Sequence, residues 1–197
     1  MNKSIIMILL LLSISITTYA NDKYYSLLGF ELEKTNLFEI QKKLGNVPMK
    51  HTGDAGGSYY SICYVSKKAN VTVYFESGEM GGDEHTLLGF TVKNSLENHQ
   101  ICGNLDTYKT KNNFNIGEIK LGEEIKNIQK LIPLPMKEIS NGIKYQTSFQ
   151  TPFTQEDINR TNVKDMNFAF WDTVVTIKIF ANNGIINRFS IYKVTSW

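Results

Sequence analysis

The sequence predicts an α+β protein made of two tandem repeats. Each repeat is a short amphipathic helix packed on an antiparallel sheet of about three to four strands. The first observation behind this is a phrase that occurs twice. Ile40-Gln-Lys is followed by Pro48-Met-Lys, and Ile128-Gln-Lys by Pro135-Met-Lys. The second is spacing: Leu37, Ile40 and Leu44 share with Ile125, Ile128 and Ile132 the i, i+3, i+7 pattern that lines one face of a helix. The third is order, because each helix is followed by a run of strand signals, which favours antiparallel α+β over alternating α/β.

Residues 1–20 read as a signal peptide. Lys3 gives a positive start, Ile5 to Ile16 is mostly apolar, and Thr18-Tyr-Ala20 offers small residues for cleavage. The apolar run is too short for a comfortable membrane span, and no later stretch resembles a transmembrane segment. Residues 21–98 are assigned to repeat 1, 99–115 to a linker and 116–197 to repeat 2, the two repeats forming one compact unit. A formal net charge of +2, with no basic run and no acidic tail, makes nucleic acid and anionic membranes poor partners.

Lys23 to Phe30 is an apolar opening segment that packs on the first helix. Asn36 caps that helix, with Glu39 completing a capping-box pair. Gly45 and Pro48 end it. The glycine-rich His51–Gly57 is a loop. Tyr59 to Val65, Val71 to Phe75 and Leu87 to Val92 read as strands, and Glu76 to His85 as an acidic, glycine-rich hairpin loop. In the second half, Gly122 reads as the N-cap, Glu123 and Glu124 as first-turn anions, and Pro133 as the stop. Ile143 to Gln150, Phe168 to Phe180 and Ile186 to Val194 read as strands. Asn182-Asn-Gly184 is a hairpin turn between the last two. Thr151 to Asp165 is an insertion in which Thr154 and Asp157 cap a short helix.

The chain has two cysteines, Cys63 and Cys102. In an exported protein they are expected to form one disulfide. It would pin the linker to the first sheet and stabilise the fold by about 4 kcal/mol on the chain-entropy account.

Signatures of catalysis are missing. Gly-x-Ser-x-Gly does not occur, no phosphate loop follows Gly53–Gly57, and a disulfide removes the Cys63 thiolate. No catalytic residue, metal or cofactor is therefore assigned. Tyr59, Tyr60, Tyr64, Tyr74 and Trp171 are the candidate protein-binding residues, because alternation places Tyr74 opposite Val73 and Phe75, on a sheet face open to a partner. The alternative acid–base or metal set is His51, Asp54, Glu79 and His85, which lie on loops flanking one sheet.

The phrase Leu121-Gly-Glu-Glu-Ile-Lys-Asn-Ile-Gln-Lys-Leu-Ile-Pro133, followed by a strand meander, resembles the helix–sheet modules of BamE/SmpA-like outer-membrane assembly proteins and of the tandem β-lactamase inhibitory proteins. The resemblance implies a short helix on an antiparallel sheet. For the tandem inhibitors it implies two units that join their sheets and bind an enzyme on a concave face. The expected function is an exported, non-catalytic protein-binding module, an inhibitor or immunity protein acting on another protein in the envelope or outside the cell. A periplasmic hydrolase or metal-binding protein using the loop His, Asp and Glu residues is one alternative. A structural envelope-assembly component is another.

Overall fold

Alternating apolar residues in six long segments pair into one sheet. In the computed structural model, residues 22–54, 57–96, 101–108, 114–161 and 169–196 are described; the leader assigned to residues 1–20 lies outside them. After a two-strand opening hairpin, β1 (Ser26–Leu27) and β2 (Phe30–Glu31), comes helix α1 (Leu37–Leu44). Strands β3 (Lys50–Thr52), β4 (Tyr59–Ser66), β5 (Val71–Gly78), β6 (Gly89–Lys93) and the two-residue β7 (Gly103–Asn104) follow. Helix α2 (Ile125–Gln129) precedes β8 (Met136–Ile139) and β9 (Gly142–Pro152). Helix α3 (Gln155–Thr161) then leads to β10 (Phe170–Asn182) and β11 (Ile185–Ser196). The sheet order is β3-β4-β5-β6-β11-β10-β9-β8, antiparallel throughout, with β7 parallel to β4 at one edge.

The expectation of two helix-on-sheet repeats is corrected here. The chain forms one nine-strand sheet and is richer in strand than that expectation. A sheet edge leaves N–H and C=O groups unpaired. Gly89–Lys93 of β6 instead pairs in register with Arg188–Tyr192 of β11, so neither strand is an edge. The two Pro-Met-Lys phrases lead into β3 and β8, the outermost strands of the order.

One row of side chains shows how the core holds the sheet. Ile62, Phe75, Phe90, Ile191, Ile177 and Tyr145 stand opposite one another across β4, β5, β6, β11, β10 and β9. All are buried, and each contributes about 1.5–3 kcal/mol. Leu27 and Phe30 of the opening hairpin, Leu37 and Ile40 of α1 and Ile128 of α2 belong to the same cluster, so the helices cover this face.

Helix α1 begins as the sequence predicts. Asn36 Oδ1 accepts from the Glu39 amide at 2.9 Å, and Glu39 Oε2 accepts from the Asn36 amide at 3.0 Å. Gly45 ends it with φ at 104°, a conformation open to glycine. Helix α2 is shorter than expected. Gly122 lies before the helix with φ at 83°, and Glu124 takes the cap position without a side-chain bond. In the insertion, the Asp157 amide donates to Thr154 Oγ1, and the Thr154 amide donates to Asp157 Oδ2.

The disulfide is present, with Cys63 and Cys102 Cα atoms 4.8 Å apart. It returns the chain to the first half of the sheet. The Leu105 amide donates to the Val65 carbonyl at 2.8 Å, and Asp106 accepts from Ser66 Oγ at 2.6 Å and from the Lys67 amide at 3.1 Å. Cys63, Val65 and Cys102 form a second small core, with Tyr74 packed against it.

Candidate functional site

Every second residue of these strands points away from the helices. On that face Glu76, Gly89, Tyr192, Thr176 and Gln146 form one cross-strand row over β5, β6, β11, β10 and β9. Toward β4 the face is closed by the disulfide loop. Toward β9 it is accessible: Gln146 and Val174 are exposed and Thr176 is half-buried.

Where the two parts meet lies a hydrogen-bonded cluster. Glu76 is 7% exposed, whereas Tyr74, Thr91 and Tyr192 beside it on this face are half-buried. Its Oε2 accepts from the Tyr192 hydroxyl at 2.5 Å and from Thr91 Oγ1 at 3.1 Å. The Tyr59 and Tyr192 hydroxyl oxygens are 2.7 Å apart. Tyr192 has one hydroxyl proton and gives it to Glu76, so Tyr59 is the donor to Tyr192. The relay crosses from β4 to β11 over the bare backbone of Gly89.

Burial pushes the Glu76 carboxyl up, against the hydrogen bonds from Tyr192 and Thr91 and the charge of Lys93. Burial, and then the Glu76 carboxylate, push both the Tyr59 and the Tyr192 phenols well above their ordinary value. Such phenols keep their protons, and the carboxyl is shut off from solvent. The cluster orients side chains and offers no exposed base. Beside it Tyr59, Met80, Leu88, Tyr192 and Val194 line an open hollow of about 290 Å³.

The predicted residues scatter around this site. Tyr59 belongs to it. Tyr74 lies on the same face, with Lys93 Nζ 5.1 Å from its ring centroid, but leans on the disulfide cluster. Tyr64 is on the helix side, fully buried, and donates to the Gly45 carbonyl at 2.7 Å; burial pushes its phenol up to about 12. Trp171 stands opposite Thr151, in phase with the core residue Val175, and lies tilted against Phe153 with centroids 4.8 Å apart. Tyr60 lies between two histidines, with His51 4.5 Å from it and His85 4.1 Å, centroid to centroid.

That stack separates the members of the alternative set. His85 Nδ1 is buried without a hydrogen bond among the described residues, and the His85 carbonyl accepts the Leu37 amide at the start of α1. His51 Nε2 is 3.3 Å from Ser58 Oγ, Glu79 Oε1 accepts the Ser58 amide at 3.4 Å, and Asp54 is exposed. Among the described residues no carboxylate bonds His51, and no three His, Cys, Asp or Glu side chains could hold a metal.

Sequence reasoning placed Glu76 in the acidic hairpin and did not join it to Tyr192. Alternation carried one residue past Phe75 keeps Glu76 in phase with Tyr74, and that signal was available. Of the segment expected as an acidic hairpin loop, Glu76–His85, the first three residues continue β5 and Glu79–Gly81 form a 3-10 turn. Comparison of the chain with family models, curated proteins and solved structures gives no match.

Proposed function

We propose that this protein is an exported, non-catalytic binding module that engages another protein through the open face of β6, β11, β10, β9 and β8. An inhibitor or immunity protein acting in the cell envelope or outside the cell is the concrete form. The observation that carries the reading is the asymmetry of the sheet. One face is sealed by helices and an aromatic row; the other is covered by the disulfide loop only toward β4 and presents Tyr192, Thr176, Gln146 and Val174 beyond it. Tyrosine beside small polar residues on a rigid sheet suits protein recognition. A disulfide between Cys63 and Cys102 fits an oxidising compartment outside the cytosol. Among the described residues no helix is long and apolar enough to cross a membrane.

Site-specific photo-crosslinking tests this. A benzophenone amino acid at Thr176 should give a discrete protein adduct in secreting cells, while the same group at Lys126, on exposed α2, should not. Adducts from neither position, or equal adducts from both, overturn the reading.

A further inference from the structure

Lys93, Lys137, Lys144, Lys178 and Arg188 are scattered along the chain, and the fold collects them. Lys93 on β6 stands opposite Arg188 on β11. Arg188 faces Phe180 on β10, two residues from Lys178. Lys178 stands opposite Lys144 on β9, and Lys144 opposite Lys137 on β8. The residues alternating with them, Ile143, Tyr145, Ile177, Ile179, Phe189 and Ile191, lie in the core. All five cations therefore project from the open face, one from each of five consecutive strands. At about 4.8 Å per strand the band is roughly 19 Å long.

This arrangement works against the sheet. Like charges directly opposite destabilise an antiparallel pair, and Lys178, Lys144 and Lys137 stand three in a row. Among the described residues Lys137, Lys144, Lys178 and Arg188 form no salt bridge. Arg188 instead lies over the Phe180 ring at 3.7 Å. The acidic residues on the same face of the described strands are Glu76, buried under Tyr192, and Asp172, which accepts from Gln150 Nε2 and lies six residues from Lys178.

Lys137, Lys144, Lys178 and Arg188, kept close together without a salt bridge among the described residues, are complementary to an anionic partner. We infer that this band reads an acidic segment of the partner protein, an inference that rests on the open-face reading above. The band is about one residue wide. Ser190, Thr176 and Gln146 flank it, and at its Lys93–Arg188 end lies a hollow of about 630 Å³ with Asn141, Asn183 and Asn187 in its wall. Neutral donors and acceptors beside a narrow line of cations suit an extended carboxylate-bearing segment. A lipid surface would call for a broad field, and the whole chain carries only +2.

Lys144→Glu is the test, because it turns three like charges into an alternating row and so favours the fold. The protein is titrated with a decapeptide alternating Glu and Ser, followed by amide NMR shifts at low and at 0.3 M salt. Saturable shifts in β9, β10 and β11 are expected, with no response to the Gln–Ser counterpart. Lys144→Glu, melting no lower than the parent, should bind at least about tenfold more weakly. Absent or variant-insensitive peptide binding overturns the inference. So does co-sedimentation with phosphatidylglycerol vesicles that exceeds peptide binding, or self-association that consumes the band. The Thr176 crosslink, repeated in the Lys144→Glu protein, separates the two readings. An adduct that persists unchanged removes the band as reader and leaves the binding face; an adduct missing from the parent removes both.

Discussion

The ring of Tyr192 lies on Gly89: a Cβ at Gly89 would stand 2.6 Å from Cδ1 of that ring. The residues are directly opposed across β6 and β11, the junction at which the two strand runs become one sheet. Gly89 has no left-handed backbone angle to require glycine, so the requirement is space alone. Adding a methyl group forces the ring off its hydrogen bond to Glu76. Gly89→Ala should cost about 1–3 kcal/mol in urea denaturation. The cost should largely vanish when Tyr192→Ala is already present. An equal cost in both backgrounds would place the constraint in the backbone and not in the ring.

The buried carboxyl beneath Tyr192 gives a pH signature. Burial raises the folded-state pKa of Glu76 above its ordinary 4.5. Between those values the folded protein holds a proton that the unfolded chain has released, so stability falls as pH rises through the window. Below 4.5 both states are protonated and the penalty is absent. Glu76→Gln keeps a neutral acceptor for Tyr192 and cannot ionise. The variant should gain on the parent as pH rises from 4 to 8, and the two should converge at acid pH. A difference that runs the other way would mean that the hydrogen bonds from Tyr192 and Thr91 outweigh burial.

Much of this fold is written locally and the site is not. The strands of the sheet follow from period-two alternation, as Val71, Val73 and Phe75 or Val175, Ile177 and Ile179 show, and the α1 cap follows from Asn36 and Glu39. Strands β3 and β8 escape a local reading because three consecutive exposed residues in each carry no alternation. That β6 and β11 would pair was beyond any local pattern, since edge satisfaction is a property of the assembled sheet. The same limit hid the Glu76–Tyr192 bond, which spans 116 residues, and the band at Lys144 and Lys178, where each cation looks like an ordinary solvated lysine. Tyr64 and Trp171 were grouped with Tyr74 by residue type, whereas their phase puts both on the helix side.

The start of α1 is a local device with a measurable worth. Asn36 and Glu39 satisfy each other's amides, and His85 accepts the Leu37 amide from outside the helix. Asn36→Ala should destabilise by about 1 kcal/mol, and Asn36→Gly by only a few tenths. Equal losses for the two would assign the effect to something other than the missing side-chain acceptor.

Cys63–Cys102 closes a separation of 39 residues that includes β5 and β6. Tying those ends in the unfolded chain should be worth about 4 kcal/mol if loop entropy dominates. The loop also has its own anchors in Leu105 to Val65 and Asp106 to Ser66, which act on the folded state and survive loss of the bond. The Cys63→Ala, Cys102→Ala double variant should therefore fold, with its urea midpoint lowered by an amount close to that figure. The Leu105 amide should still be slower to exchange than a free loop amide. A loss under about 1 kcal/mol would show that the denatured chain already keeps β4 near residue 102. Complete loss of Leu105 protection would make the disulfide the only thing holding the loop on the sheet.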